Sequence, residues 1–465
     1  MKRFREYQPE QRLLLPASLE DWLPEGHVGR FIGEVVEQLN LGEIYARYEE
    51  DGRGQAAYHP LLMVKVLFYG YATGRYSSRK LERASYEEVA MRYLAGNQHP
   101  DHDTLAHFRR RHLTALGRLF GQILQMCQRA GLVGLGHVAV DGTKVRANAS
   151  RQQSRSYAQM QEEEQRLERH IREWLEEAER VDAQEDACYG RRRGDELPPE
   201  LATSQKRLET IRRLKADLEQ EAREQAERER AEIEQRRQER REREQAAGRR
   251  FGGREPRIPD PAQAQPEAHE QRNLTDPESR IMKDGATGSF QQCYNAQAAV
   301  DERRQVIVAA EVTAQEHDRR QLAPLVEQIE QQLGRKPEQV SADSGYFSSQ
   351  HLASPVLAGV DLYVPPEPER RRRPGAAARR WDRHPELTDA MREKLRTAQG
   401  RQCYLRRQTI VEPVFGTIKQ WRAFRQFLLR GLALVRGEWK LVCTVHNLLK
   451  LYGARLAWRR LEMAV

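Results

Sequence analysis

The chain has 465 residues, enough for two or three domains. Charged residues make up 32% and hydrophobic ones only 38%, so the core is interrupted, and a net charge of +9 points to an anionic partner, of which nucleic acid is the usual one. Five scattered cysteines without C-x-x-C spacing exclude a zinc ribbon and a disulfide framework. With neither a signal-peptide core nor an apolar run of about 18 residues, a cytoplasmic protein without a membrane span is expected.

Residues 11 to about 48 carry Phe31, Ile32, Val35, Val36, Leu39 and Leu41 at mixed helical spacing, which predicts one core helix. After the break at Asp51-Gly52-Arg53-Gly54, Pro60 opens an apolar run through Tyr71 that reads as the central helix of a small bundle. Segments starting near Tyr76 and Asp101 each place a capping residue before a helix, and the second ends in Arg109, Arg110, Arg111 and His112. Short helices with a basic final one suit a helix-turn-helix-like reader of double-stranded DNA, and equally a solvated bundle. A further helix over 114–130 leads to Gly131, Gly134 and Gly136. The expected organisation is therefore a helical DNA-binding domain over 1–130, with a boundary near 131.

His137-Val138-Ala139-Val140-Asp141-Gly142 is a short strand that runs into a carboxylate. Taken alone it is either a turn or a ligand for a cation. Residues 151–272 differ in kind. Leu167, Ile171, Trp174, Leu175, Ala178 and Val181 make one helical stripe, and Leu201, Leu208, Ile211, Leu214 and Leu218 make another after Leu197-Pro198-Pro199. A charged, coiled-coil-like helix hairpin is expected, continuing to Gly248 as a solvated helix or fraying coil held by i,i+4 ion pairs, with a proline-rich linker behind it. It is either a solvent-facing insertion or an arm that dimerises or tracks DNA.

Phe290–Asp301 and Val306–Val312 read as a hairpin able to pair with the Val138 strand. His317-Asp318 then precedes an amphipathic helix through Leu333. Gln339-Val340-Ser341-Ala342-Asp343 is a second strand ending in an acid. A short strand follows at 360–364, then a basic stretch with Arg370 to Arg373, Arg379 and Arg380. Three helical segments are expected beyond: Thr409–Trp421, Phe424–Gly431, and a long helix from Glu438 through Leu456.

This order predicts an α/β fold: an RNase H-like mixed five-stranded sheet over 131–150 and 273–456 with flanking helices, interrupted by the 151–272 insertion. In such a sheet the first and fourth strands are neighbours, which brings Asp141 and Asp343 together, and Glu412 is the best third acid, arriving on a helix. Hard oxygen ligands around two Mg²⁺ or Mn²⁺ ions would make three like charges tolerable. Lys419, two turns beyond Glu412, would grip the phosphate beside the scissile bond, and Pro413 falls in the helix's first turn.

On Val140-Asp141-Gly142-Thr143, Ala342-Asp343-Ser344-Gly345-Tyr346-Phe347 and Val411-Glu412-Pro413-Val414-Phe415-Gly416-Thr417-Ile418-Lys419, the chain resembles the DDE transposases of bacterial insertion sequences, in the branch with a Tyr-Arg-Glu-Lys signature. Asp276–Arg280, Tyr294–Gln297 and the Trp439–Leu449 helix with His446-Asn447 fit the same family, as do residues 11 to about 115. The resemblance implies cleavage at terminal inverted repeats and strand transfer into target DNA. It also implies two Mg²⁺ or Mn²⁺ ions per site on Asp141, Asp343 and Glu412, a homodimer or higher oligomer on the DNA, and a nucleoid-associated protein when bound. The signature places Tyr at 405 and Arg at 408, where this chain has Leu405 and Gln408; Tyr404 and Arg407 stand beside them. Either the helix start is shifted so that Tyr404 and Arg407 do the phosphate work, or that element is weakened. Further expected DNA contacts are Lys144, Arg109, Arg110, Arg111 and Arg425. An Asp-Gly-Thr strand end also opens sugar-kinase and actin-like ATPases, but those need a second glycine-rich phosphate loop and leave Glu412 and Lys419 without a role. A nuclease of the same core without strand transfer, or a DNA-binding protein with dead chemistry, would carry the same strands and acids.

Overall fold

The computed structural model describes residues 18–49, 56–189, 199–249, 252, 257–283, 288–366 and 384–462. The Arg370–Arg373, Arg379 and Arg380 stretch, the Asp51–Gly54 break and the Leu197-Pro198 break lie outside the described residues. The chain divides into two units: Met1–Asn148 with Met282–Ser289 and Cys293–Val465, and Ala149–Ile281 with Phe290–Gln292.

In the first unit seven helices precede the sheet: α1 Val28–Glu37, α2 Gly42–Glu49, α3 Pro60–Ala72, α4 Ser78–Glu87, α5 Val89–Leu94, α6 His102–Arg111 and α7 Leu113–Arg129. The single helix expected over 11–48 is two. Asn40 Oδ1 accepts from Gly42 N at 2.9 Å ahead of α2, and the Asn40 N–H donates to Gln122 Oε1 at 2.8 Å, so the chain turns there and does not continue as one helix. α3 is central as expected, with Met63, Val64, Leu67, Phe68 and Tyr71 buried. Pro60 occupies its first turn, and His59 Nδ1 accepts from Leu61 N.

Strand β1 runs His137–Arg146, and β4 Arg280–Lys283, β5 Phe290–Asp301, β6 Ile307–Thr313, β7 Gln339–Ala342 and β8 Asp361–Tyr363 complete the sheet; β2 and β3 belong to the second unit. The order is β4-β5-β1-β7-β8, with β6 also on β5. β1 is antiparallel to β5 (Val140↔Ala299) and parallel to β7 (Val140↔Ala342). The sheet has six described strands rather than five, the short β4 being the addition. Helix α10 (Leu322–Leu333) follows β6 and the short α11 (Ser349–Leu352) follows β7. The hairpin turn is pinned by Asp301, whose Oδ2 accepts from Leu135 N at 2.7 Å and Gly134 N at 3.1 Å.

Helices α12 (Pro385–Arg396), α13 (Ala398–Ile410) and α14 (Glu412–Gly416), a π-helical turn Thr417–Trp421, and α15 (Leu432–Glu462) end the chain. Phe424–Gly431, expected as a helix, is extended. Ala423 takes a left-handed φ of 55° that stops the preceding turn, and Phe427 N then donates to Arg146 O at 2.8 Å beside the end of β1. α15 consequently starts at Leu432, ahead of the expected Glu438. Its Asn447 covers β6 by accepting from Ile307 N and donating to Ile307 O, both at 2.8 Å, and Trp439 Nε1 donates to Gln297 O at 2.9 Å.

His137 is 1% exposed and its Nε2 pairs with Ser341 Oγ at 2.8 Å. Burial, with Arg406 adding, holds its imidazole down at about 4 against an ordinary 6.5. The folded chain therefore keeps it neutral while the unfolded chain takes up a proton below 6.5. Stability from this group is complete above that value and is lost as pH falls toward 4, by about 3 kcal/mol. Urea titrations from about pH 7 to about pH 4.5 are expected to show a shallower fall for His137→Asn than for the wild type; parallel curves would refute this.

In the second unit β2 (Ser154–Ser156) pairs antiparallel with β3 (Gln271–Asn273), and α8 (Tyr157–Tyr189) packs on α9 (Pro199–Ala247). Their core is Tyr157, Met160, Leu167, Leu208, Ile211, Leu214 and Leu218, flanked by Ile171 and Leu274. Trp174 and Leu175, expected in that stripe, are 36% and 44% exposed, because the apolar contact ends near Ile171. The side chains of Ala178, Val181 and Leu201 lie outside the described residues. Beyond Leu218 α9 continues as a solvated helix laced by Arg228–Glu224, Arg230–Glu234, Arg236–Glu232 and Arg240–Glu244, all four residues apart.

Candidate active site

Parallel pairing stops at Val140↔Ala342, so Asp141 and Asp343 leave adjacent strands at the same level. Asp343 caps a short turn over Ser344–Tyr346, its Oδ1 accepting from Gly345 N at 2.8 Å. Asp141 Oδ1 accepts from Gly142 N at 2.8 Å, and its Oδ2 from Arg407 Nη1 at 2.9 Å. Burial pushes the Asp141 carboxyl up to about 6; the Arg407 guanidinium opposes the rise and the Asp343 and Asp318 charges add to it. Asp343 is raised likewise, first by burial, with Asp318 adding.

Arg407 reaches this pair from α13, its side chain 12% exposed and its guanidinium 5.8 Å from the Tyr404 ring centre. Leu405 and Gln408 face solvent. Tyr404 and Arg407 are the half-buried members of this stretch, the arrangement that a shifted signature would require. The shift has a cost, since five residues separate Arg407 from Glu412 and rotate it by about 140° around a helix, against about 40° for a spacing of four.

Glu412 is exposed at the first residue of α14, near enough for its charge to act on Arg407. Pro413 sits in that first turn. Lys419 is not on a continuous α-helix with Glu412, because Thr417–Trp421 winds as a π turn. Its Nζ donates to Lys144 O at 2.8 Å. Among the described residues no three His, Cys, Asp or Glu side chains converge closely enough to hold a metal ion. Asp141 and Asp343 are brought to one level by the β1–β7 pairing, and Glu412 does not join them in a metal-binding group, though its charge acts on the same Arg407.

The remaining expected DNA contacts scatter. Lys144 Nζ donates to Glu316 O at 2.7 Å. Arg425 is exposed, its Nε bonded to Lys419 O at 3.2 Å. Arg110 and Arg111 are exposed on α6, and Arg111 Nη2 donates to Arg47 O at 3.0 Å. Arg109 does not belong on a DNA face: it is 5% exposed and donates to Tyr76 O at 2.7 Å, beside the buried carboxylate of Glu438. Its neighbours in sequence hide this, because only the phase of α6 against α3 turns it inward.

Sequence reasoning missed Asp318, on the loop before α10. Its Oδ1 accepts from Asn295 Nδ2 and Gln297 Nε2, both at 2.6 Å. The available signal was the polar pair Asn295 and Gln297 at alternate positions in the largely apolar Cys293–Val300 part of β5, whose buried amides require a partner.

A mixed sheet of this order, with carboxylates where the parallel pairing of two neighbouring strands stops, defines the RNase H-like class. Residues 17–111 match the model of the transposase domain DUF772, and residues 263–448, which include Asp343, Glu412 and Lys419, match the transposase DDE domain. Together these span more than half of the chain, which belongs to the DDE transposases of insertion sequences. Comparison with curated proteins and with solved structures returned no match. The protein is a DNA-transposing enzyme, and among the described residues no helix is long and apolar enough to cross a membrane.

Proposed function

We propose that this transposase cleaves double-stranded DNA at the terminal inverted repeats of its element and joins the freed 3′-hydroxyl ends to target DNA, with Asp141, Asp343 and Glu412 as its catalytic carboxylates. The observation that carries the reading is the parallel pairing of β1 with β7, which stops at Val140↔Ala342 and leaves an aspartate next on each strand at one level of the sheet, Asp343 beyond the end of β7 and Asp141 within β1, which runs on beside β5 to Arg146. Donor chemistry suits a divalent cation there. The carboxylates of Asp141 and Asp343 and the buried Asn295 Oδ1, which has no hydrogen-bond partner, are hard oxygens without thiolate or imidazole among them. Mg²⁺ or Mn²⁺, two per site, would supply activation of the attacking water or 3′-hydroxyl and stabilisation of the leaving oxygen.

The side chains divide the remaining work. Asp141 and Asp343 hold cations, and Glu412 completes the set once Arg407 gives up Asp141 Oδ2. Tyr404 keeps the released guanidinium stacked and aimed at a backbone phosphate, a planar donor for a planar acceptor. Lys419, Lys144 and Arg425 line the DNA path beside β1, and Arg110 and Arg111 on α6 contact the element end within an N-terminal DNA-binding domain. A homodimer or higher oligomer holds both ends, in the cytoplasm on the nucleoid, with the 151–272 arm solvent-facing.

The test incubates the purified protein, a labelled duplex carrying the inverted repeat that flanks its reading frame, a target plasmid and Mg²⁺, with Asp343→Asn as control. Labelled ends joined to plasmid by the wild type alone are expected. Equal products from both proteins, or cut ends that are never joined, would replace the transposition chemistry with contamination or with a plain nuclease.

A further inference from the structure

Asp318 is tied to both Asp141 and Asp343 through the groups around it. Asn295 and Gln297, whose side-chain amides it accepts, are fully buried on β5 opposite Lys144 and Gly142 of β1. Gln297 Oε1 in turn accepts from Tyr346 Oη, and Tyr346 closes the turn that Asp343 caps. Two glycines leave the space that the carboxylate occupies. A Cβ on Gly142 would stand 3.0 Å from Asp318 Oδ1, and one on Gly345 would stand 3.4 Å from Asp318 Oδ2. Gly142 follows Asp141 directly, and Gly345 is the residue whose N–H Asp343 accepts.

A second, independent observation points into the same cradle. Asn295 is 0% exposed, its Oδ1 has no hydrogen-bond partner, and that oxygen would lie 2.9 Å from a Cβ on Gly142. A buried amide oxygen left unmatched is costly, and a cation or a donor arriving at the cradle would satisfy it.

We propose that Asp318 is a positioning residue of the active site: it fixes Asn295, Gln297 and, through Tyr346, the Asp343 turn, and it sets a carboxylate behind the two aspartates so that the centre takes a divalent cation more tightly. This rests on Asp141 and Asp343 holding the cation. Hydrogen-bonded groups behind a ligand set are typically worth about 10–100-fold in metal affinity, and Asp318 is expected within that range.

The test titrates the full-length protein with MnCl₂ and follows free Mn²⁺ by electron paramagnetic resonance, for the wild type, Asp318→Asn and Asp141→Asn. The expected result is a Kd for Mn²⁺ raised about 10–100-fold by Asp318→Asn at a retained melting temperature, with binding lost in Asp141→Asn. Wild-type affinity in Asp318→Asn, with or without a lower melting temperature, overturns the proposal and leaves the two aspartates in place. No binding by the wild type, or undiminished binding by Asp141→Asn, overturns both. If Asp318→Asn does not fold, Fe²⁺ with ascorbate and peroxide, which cuts the backbone beside a bound iron, serves on the wild type. Cuts around 141–142, 343–345 and 317–319 support the proposal, and cuts confined to the first two regions overturn it.

Discussion

Replacing Asp141 or Asp343 by Asn, or Glu412 by Gln, is expected to lower end cleavage and strand joining by about 10³-fold or more, with folding and DNA retention intact. Each change keeps the side-chain volume and removes one negative charge from a centre that must hold cations against a phosphodiester. Pairwise combinations are expected to lose no more than the singles, because ligands of one centre act as a unit. Glu412→Gln is the most informative of the three. Its carboxylate is exposed and does not group with the aspartates closely enough to hold a metal ion, so a loss equal to theirs would mean that the set closes on DNA. Quantitative end cleavage with gel-shift controls decides it, and near-normal cleavage by Glu412→Gln would remove that residue from the set.

Arg407→Met is expected to destabilise the chelator-treated protein by about 3–5 kcal/mol at about pH 8, since it removes the Asp141 carboxylate's bond to a guanidinium. The sign follows from the direction of the shift. The Asp141 carboxyl stands at about 6 when folded against 3.8 ordinarily, so the folded state favours the protonated form; destabilisation appears as pH rises above the ordinary value and is complete above the folded one. Without Arg407 the folded value climbs further. The variant should therefore approach the wild type at about pH 5 and fall behind at about pH 8, and millimolar Mn²⁺ should restore most of the difference. Melting curves at both pH values, with EDTA and with Mn²⁺, read this out. An equal deficit at both, unmoved by Mn²⁺, would make Arg407 a packing residue only.

The legible parts of this chain are those where one residue type is costly at its position. An acid after a short apolar run is such a place, so the level of Asp141 and Asp343 and the strand order between them can be read directly, although β1 does not end at Asp141 but runs on to Arg146, and the solvated length of α9 follows from its i,i+4 charges. Apolar spacing says less about where an element stops. It does not register the Asn40 hydrogen bonds that split the first helix, nor the left-handed Ala423 that makes Phe424–Gly431 extended. It cannot separate Arg109, buried beside Glu438, from the exposed Arg110 and Arg111, because a basic run carries no phase. Asp318 is hidden for a related reason: its meaning lies in two amides on a distant strand and in the missing side chains of Gly142 and Gly345.

The chemistry itself is tested most directly by the nucleophile. A precut, labelled inverted-repeat duplex ending in a 3′-hydroxyl, and the same duplex ending in a 3′-deoxy terminus, are each incubated with the protein, supercoiled plasmid and Mg²⁺. A DDE transposase transfers label to the plasmid from the 3′-hydroxyl duplex alone, and Asp343→Asn abolishes the transfer. Joining that ignores the terminal hydroxyl, or plasmid nicking without any joined label, would contradict strand transfer by this site.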